Sequence, residues 1–214
     1  MPSLKQLKKT YRLKKPEIIS RLNEFKRLGL KGSDKDIFTE LCFCILTPQS
    51  KAKLCWDAIC ALKKNGWLFK GCVRRIRKYL YAVRFKNKKA VYIVNARKLF
   101  KRCGKICIKQ RLVKLKGACE RREWLVKNIV GIGYKEASHF LRNTGDGEKI
   151  AILDRHILKN LNKFGVIKEI PSRVGRAKYL KIEKNMMRFA KKLNIPASHL
   201  DLLFWSQETG EVFK

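Results

Sequence analysis

The stretch VGIGYK, residues 130–135, separates two segments whose apolar residues recur with helical periodicity. Gly131 and Gly133 flank Ile132, and glycine at both positions favours a tight turn because it readily adopts positive φ angles. Without Cβ atoms there, a phosphate could approach the backbone N–H groups, and the next helix would direct its positive end at the same anion. The sequence therefore predicts a helical hairpin, over about residues 123–143, that binds a phosphate backbone.

The charge balance points to the same kind of partner. The chain has 52 Lys and Arg residues against 17 Asp and Glu, a formal net charge of +35. A compact protein with this imbalance repels itself unless it meets a polyanion. Adaptation to heat also enriches lysine, but it usually enriches glutamate as well, and here glutamate does not keep pace. We therefore expect a nucleic-acid-binding protein.

The 214 residues are enough for a substantial core. No Ser/Pro-rich linker interrupts them, so we expect one unit over residues 1–214. No run of eighteen apolar residues exists, which argues against a membrane span. The basic stretch 1–16 lacks the apolar centre of a secretory signal. We expect it to be a short helix or a mobile basic arm that contacts DNA phosphates, with an organellar transit peptide as the weaker alternative.

The eight cysteines are expected to be structural. Most of them, including Cys42 and Cys44, fall within apolar helical patterns and are predicted to be small buried hydrophobic residues. A disulfide framework is not expected without a secretory signal. Cys103 and Cys107 have no second pair of metal-ligand spacing, and the three histidines lie elsewhere. We therefore predict no metal site.

Most of the chain has helical patterning. Ser33 with Asp36, and Ser198 with Asp201, have the spacing of capping boxes. Pro48 is expected to end a helix and to start a connecting loop over residues 47–50. Further helices are predicted over about 74–80, 90–100 and 175–192, and a turn over 144–149. The stretch 101–119 has no clear pattern.

Four longer strings carry a family resemblance. They are LCFCILTPQSKA (residues 41–52), RFKNKKAVYI (84–93), GYKEASHFLRN (133–143) and SHLDLLFW (198–205). Together with IAILDRH (150–156), they resemble the archaeal-type 8-oxoguanine DNA glycosylase/lyases of the helix-hairpin-helix glycosylase superfamily, from about Ser33 to Lys214. The resemblance implies an all-α fold of two helical subdomains, with the active site in the cleft between them. No cysteine follows Cys119, so the chain lacks the carboxyl-terminal iron–sulfur loop of endonuclease III-like relatives.

The resemblance also implies the catalytic residues. Lys135 would be the nucleophile that attacks C1′ of the damaged nucleotide, displaces the base and then nicks the strand by β-elimination, a reaction that requires a neutral amine. Asp154 would stabilise the oxocarbenium-like transition state, and its position also suits a helix N-cap. This chemistry needs no metal or organic cofactor.

Other residues would bind the DNA or the damaged base. Gly131 and Gly133 would donate backbone amides to a phosphate, and Gln49 would enter the duplex beside the orphaned base once the nucleotide is extruded. Phe85 and Trp205 would stack on the base, although either could instead belong to the core. His139 and His156 are predicted to be structural, since each lies within a helix.

Lesion choice is expected to depend on the end of the sequence. Guanine offers an acceptor at N7, whereas 8-oxoguanine carries a proton there and becomes a donor. The resemblance places Lys214 in the base pocket, where its α-carboxylate would be a suitable acceptor. A frayed end is the alternative.

The sequence thus predicts a monomeric, cytoplasmic enzyme that acts on double-stranded DNA containing 8-oxoguanine. A glycosylase for oxidised pyrimidines and a non-catalytic helix-hairpin-helix module that only binds DNA are the alternatives.

Overall fold

In the computed structural model, which describes residues 3–214, the chain forms twelve α-helices, one short 3-10 helix (Gly147–Lys149) and one two-stranded antiparallel sheet. This architecture confirms the predicted all-α class. The helices are α1 (Leu4–Lys31), α2 (Asp34–Leu46), α3 (Ala52–Lys64), α4 (Trp67–Lys70), α5 (Val73–Tyr79), α6 (Lys86–Phe100), α7 (Ile108–Val113), α8 (Gly117–Asn128), α9 (Tyr134–Asn143), α10 (Arg155–Lys163), α11 (Arg176–Leu193) and α12 (Ala197–Thr209). Strands β1 (Lys101–Arg102) and β2 (Lys105–Ile106) lie between α6 and α7.

The buried apolar side chains form two separate clusters. The first joins helices α2 to α9, and includes Phe38, Leu41 and Phe140. The second joins the amino-terminal part of α1 to helices α10 to α12, and includes Ile157 and Phe204. Burial of apolar surface is the main stabilising contribution in each cluster. The chain is therefore organised around two helical cores.

A buried ion pair links the two cores. Arg122 on α8 donates two hydrogen bonds to Glu183 on α11, with N–O distances of 2.6 and 2.9 Å. The same carboxylate accepts the backbone N–H of Ala151 at 2.7 Å. A bidentate pair fixes orientation as well as distance. It thereby sets the segment before α10 against the helices of the first core.

The predicted helix boundaries hold where a specific residue determines them. Ser33 and Asp36 form the expected capping box at the start of α2. That helix ends at Leu46, two residues before Pro48, as expected. Asp154 is the N-cap of α10, and its Oδ1 accepts the backbone N–H of Ile157 at 2.8 Å.

The amino-terminal expectation is wrong for the residues described. In place of a short helix or mobile arm, residues 4–31 form one helix of 28 residues with Pro16 inside it. Leu7, Ile18 and Phe25 are buried along this helix. Packing of this apolar face offsets the hydrogen bond that a proline removes from a helix interior. Residues 1 and 2 lie outside the described part of the chain.

Two further expectations need correction. Ser198 and Asp201 do not cap a helix, because α12 already begins at Ala197 and Asp201 is buried in an ion pair. Helix α6 begins at Lys86, earlier than predicted, because its first four residues are all polar and give no apolar signal. The unassigned stretch 101–119 contains the β-hairpin, α7 and the start of α8.

The cysteines are more exposed than predicted. Cys42, Cys44 and Cys55 are buried, but four of the eight are exposed because they lie on the outward faces of helices or in turns. No group of three or more potential metal-ligating side chains occurs within residues 3–214. None of the helices described there is long and apolar enough to cross a membrane.

Candidate active site

A cavity of about 880 Å³ lies where the two cores meet. The loop between α2 and α3 forms one side of it, together with residues of α9. The other side consists of residues 152–156 and residues of α12. Lys135 and Asp154 both line this cavity, as do Gln49, Trp205 and Lys214. Five of the eight predicted site residues are thus brought together, although they are distant in sequence.

Lys135 is the second residue of α9, at the end of the helix that carries partial positive charge. Its side chain is 23% exposed, and its Nζ lies 3.1 Å from Oε1 of Glu136. The other carboxylate oxygen of Glu136 accepts the backbone N–H of Gly133 at 3.1 Å. Glu136 therefore caps α9 and also holds the lysine ammonium at the cavity.

Asp154 also lines the cavity, at the start of α10. Its Oδ1 accepts one backbone hydrogen bond from the first turn of the helix. A carboxylate at a helix N-terminus is favoured by the helix dipole and by this hydrogen bond. The two roles foreseen for Asp154, N-cap and anion beside the lysine, are therefore compatible in one geometry.

The turn between α8 and α9 requires glycine at only one of its two positions. Gly131 has φ +89°, and a Cβ there would lie 2.3 Å from the ring of Tyr92. Gly133 has φ −102°, so the expectation of a positive φ at both glycines is wrong. The N–H of Gly133 is also occupied by Glu136, whereas that of Gly131 has no hydrogen-bond partner within residues 3–214. Of the two glycine amides, that of Gly131 is therefore the one available to an anion.

Gln49 lies at the tip of the loop between α2 and α3. It is exposed and has φ +54°, a left-handed conformation that a non-glycine residue adopts at some cost. Behind the loop lies Lys89, whose Nζ donates hydrogen bonds to the carbonyl oxygens of Leu46 and Pro48, both at 2.7 Å, and to Oγ of Ser50 at 3.1 Å. Burial lowers the pKa of Lys89 to about 8.

Trp205 and Lys214, which were predicted to bind the base, both line the cavity. The ring of Trp205 stacks on Phe213, with centroids 6.2 Å apart. Nζ of Lys214 lies 2.6 Å from the buried carboxylate of Glu40 and 3.3 Å from the ring centre of Trp56. These contacts fix Lys214, so the alternative of a frayed end does not describe this structure.

Phe85 is placed differently from the other predicted base-pocket residues. It is 52% exposed, precedes α6 with φ +57°, and stacks under the guanidinium of Arg84. Arg84 lines the cavity, but Phe85 is not among its lining residues. In this structure Phe85 is a surface residue beside the cavity.

Both histidines predicted to be structural also line the cavity. His139 is buried and packs its ring edge-on against Phe43. Burial holds the pKa of His139 well below its usual range, and the positive charges of Arg142 and Lys135 act in the same direction. His139 is therefore a neutral group in the floor of the cavity. The partly exposed His156 has its Nδ1 3.8 Å from Glu208.

An ion pair beside His139 was missed by sequence reasoning. Arg142 and Asp201 are almost fully buried, and Nη1 of Arg142 lies 3.1 Å from Oδ2 of Asp201. Burial raises the pKa of Asp201 to about 6, while Arg142 opposes this shift and Asp154 adds to it. Arg142 follows Lys135 and His139 at the helical spacing i, i+4, i+7, and this periodicity would have placed it on the same face. Asp201 gave no such signal, because its spacing from Ser198 suggested a cap.

Positive charge predominates around the cavity. Four acidic residues line it, namely Glu136, Asp154, Asp201 and Glu211. The basic residues that line it are Lys51, Lys53, Arg84, Lys135, Arg142, Arg155 and Lys214. Such a field attracts a polyanion and concentrates it at the opening.

A helical hairpin beside a cleft that holds a lysine and an aspartate defines a protein of the helix-hairpin-helix class. Comparison with known proteins narrows this class. The model of a family described as 8-oxoguanine DNA glycosylase matches residues 18–195. The chain belongs to this family.

Two relatives illustrate the similarity in sequence. An 8-oxoguanine DNA glycosylase/AP lyase of Fusobacterium nucleatum is 46% identical over 98% of this chain and 96% of its own length. A protein of the same name from Methanocaldococcus jannaschii is 41% identical over 97% of this chain and 99% of its own length. The archaeal relative agrees with the resemblance inferred from the sequence.

Two solved structures agree in fold. The 8-oxoguanine DNA glycosylase of Thermotoga maritima matches with a TM-score of 0.83 and 36% identity, over 99% of this chain and 98% of that one. The 8-oxoguanine glycosylase/lyase of Methanocaldococcus jannaschii, in complex with a 15mer DNA containing 8-oxoguanine, matches with a TM-score of 0.87 and 38% identity. That match covers 98% of this chain and 99% of the other.

Proposed function

We propose that this protein removes 8-oxoguanine from double-stranded DNA and then nicks the strand at the resulting site. The observation that carries the proposal is that Lys135 and Asp154 line one cavity in a chain of this family. The names of the relatives, which pair a glycosylase with an AP lyase, support the same two steps. One chain supplies both groups, so a single copy contains the pair that the proposed reaction requires.

Lys135 is the nucleophile in this mechanism. Its neutral amine attacks C1′ of the damaged nucleotide as the bond to the base breaks, and the base leaves with that electron pair and takes up a proton. The amine then loses a proton as the sugar ring opens, which gives an imine between Nζ and C1′. Loss of a C2′ proton expels the 3′-phosphate and cuts the strand. Asp154 stabilises the positive charge that develops on the sugar in the first step.

Burial lowers the pKa of Lys89, which lies close to the cavity, but the geometry of Lys89 does not suit a nucleophile. It is buried, its three N–H groups face three protein acceptors, and it does not line the cavity. Lys135 is partly exposed at the cavity and has one charged neighbour. Access to substrate therefore assigns the nucleophile to Lys135.

The flipped base is received between Trp205 and Lys214. Trp205 offers a stacking surface at the cavity, and the ion pair with Glu40 anchors Lys214 beside it. An oxygen of the Lys214 main chain accepts a hydrogen bond from the N7–H group that 8-oxoguanine has and guanine lacks. Phe85 is exposed beside the cavity, so stacking on the base would require Phe85 to move toward the cavity.

The DNA backbone binds across the hairpin and the basic rim. The amide of Gly131 and the positive end of α9 hold one phosphate, and Gly133 allows close approach because it has no side chain. Gln49 enters the duplex at the orphaned base. If roughly four to six phosphates are neutralised, log K for undamaged duplex should fall with log salt at a slope of about −4 to −5. A flat dependence would contradict this mode of binding.

The proposal is tested with a panel of duplexes, each bearing one lesion opposite each of the four bases. We expect excision of 8-oxoguanine, strand nicking, and a covalent complex when borohydride reduces the imine. Preference for an oxidised pyrimidine would instead identify a different glycosylase. Binding without any borohydride-trapped complex would identify a non-catalytic DNA-binding module.

A further inference from the structure

The loop over residues 47–50 is held in an unfavourable conformation at its tip. Gln49 is exposed, and its φ of +54° lies in the left-handed region that side chains other than glycine rarely adopt. Such a conformation persists only when the surrounding structure imposes it. Contacts from neighbouring residues must therefore hold residue 49 in this conformation.

The contacts come from one buried lysine on α6. Nζ of Lys89 donates to the carbonyl oxygen of Pro48, directly before Gln49, and to Oγ of Ser50, directly after it. Its third hydrogen bond goes to the carbonyl oxygen of Leu46, at the end of α2. The three bonds thus bracket residue 49 and tie the loop to the helix that precedes it.

The start of α6 strengthens this attachment. The backbone N–H of Arg84, two residues before the helix, donates to the same Oγ of Ser50 at 3.1 Å. The hydroxyl therefore joins the loop to α6 twice, through the main chain of Arg84 and through the side chain of Lys89. A protonated lysine has three N–H donors, which matches the three acceptors present. Burying this group without them would be costly.

From this geometry we infer that Lys89 is a positioning residue for strand opening. It holds Gln49 in the conformation in which its side chain enters the duplex when the damaged nucleotide leaves. Lys89 itself touches neither the substrate nor the reacting atoms. This inference rests on the proposed function, in which Gln49 occupies the gap beside the orphaned base.

The central variant is Lys89→Met, which keeps the length of the side chain but removes all three donors. Lys88→Met is the matched control, because it removes one positive charge from the neighbouring exposed position. Single-turnover excision of 8-oxoguanine from duplex DNA should slow by about 10-fold to 100-fold in Lys89→Met, since buried acceptors lose their partners. Lys88→Met should excise at the parental rate in low salt.

Two further measurements separate positioning from general damage. A 2-aminopurine placed opposite the lesion reports strand opening by its fluorescence, and this rise should slow together with excision. Borohydride trapping of a single-stranded abasic oligonucleotide needs Lys135 but no strand opening, so it should keep the parental rate. Ser50→Ala, which removes one acceptor and leaves the lysine two partners, should show the same pattern with a slowing of roughly 3-fold to 10-fold. It carries the test if Lys89→Met does not fold.

Combination with Gln49→Ala tests the route of the effect. If Lys89 acts through Gln49, the double variant should excise no more slowly than the slower single variant, because coupled residues are not additive. Equal losses in duplex excision and in single-stranded trapping would overturn the inference, as would parental excision by folded Lys89→Met and Ser50→Ala. Additive losses would also overturn it. A parent protein that neither excises nor traps would instead overturn the proposed function.

Discussion

The two helices that line the cavity each present one charged side chain near the helix N-terminus, and the two charges are opposite. Lys135 is the second residue of α9, and Asp154 is the N-cap of α10. The partial positive charge at a helix N-terminus favours an anion and disfavours a cation, by about 0.3–1 kcal/mol at exposed sites. The fold thus supports the carboxylate directly, whereas the ammonium depends on Glu136, 3.1 Å away.

This difference shows how one structural device serves two chemical needs. A transition state with positive charge on the sugar is stabilised by a carboxylate, and in the proposed mechanism α10 presents one at its first turn. A nucleophilic amine must be neutral when it attacks, and in the proposed mechanism α9 presents that amine at the cavity. Because the walls belong to separate cores, their relative placement depends on contacts such as the Arg122–Glu183 pair.

Replacement of the amine tests the α9 wall and should have the largest effect. Lys135→Gln should abolish borohydride trapping, because the amide cannot form an imine, while duplex affinity stays close to that of the parent. Lys127→Gln removes an equal charge from an exposed position on α8 and should trap normally. Trapping of Lys135→Gln at the parental rate would remove Lys135 from the mechanism.

Replacement of the carboxylate tests the α10 wall. Asn caps helices about as well as Asp, so Asp154→Asn keeps the cap and removes only the charge. Single-turnover base release should slow by roughly 10²-fold or more if the charge acts on the transition state. The midpoint of urea unfolding should stay close to that of the parent. Normal base release by the folded variant would leave Asp154 with a capping role alone.

Local patterns in the sequence predicted much of this site. Ser33 and Asp154 cap helices through hydrogen bonds to near neighbours, and Pro48 has no N–H to continue a helix. These effects on helix ends can be predicted without knowledge of the fold. The family motifs identified Lys135, Asp154, Trp205 and Lys214 as site residues, although these four residues come together only in the tertiary structure. The structure brings all four of these residues to one cavity.

What the sequence did not predict depends on contacts between distant segments. Nothing in the sequence distinguishes Lys89 from the other lysines, because its bonds to the loop over residues 47–50 form only in the folded chain. Asp201 had the spacing of a capping residue, but α12 begins earlier than that spacing implies. The Asp201 carboxylate instead lies beside Arg142. The exposure of Phe85 likewise depends on the left-handed turn before α6.

The hairpin that leads into the α9 wall should tolerate a methyl group at one glycine only. Gly131→Ala forces a Cβ into the ring of Tyr92 at a positive φ, which should cost about 1–3 kcal/mol in unfolding free energy. At Gly133 the nearest contact of a Cβ is Oε2 of Glu136 at 3.2 Å, so Gly133→Ala is the matched control and should cost less. Equal losses in urea unfolding would contradict this asymmetry.

The smallest expected effect concerns the floor between the two walls. Because burial holds the pKa of His139 well below its usual value of 6.5, the unfolded chain takes up a proton below that pH while the folded protein does not. The parent should therefore lose stability as pH falls below 6.5, by at most about 1.4 kcal/mol per pH unit from this group. Burial lowers the pKa of His199 as well, and raises that of Asp201, which acts in the opposite direction at acid pH.

The informative quantity is thus the difference in unfolding free energy between the parent and His139→Gln, measured by urea unfolding at several pH values between 5 and 8. The difference should move in favour of the variant as pH falls, and a constant difference would show that His139 takes up its proton equally in the folded and unfolded states.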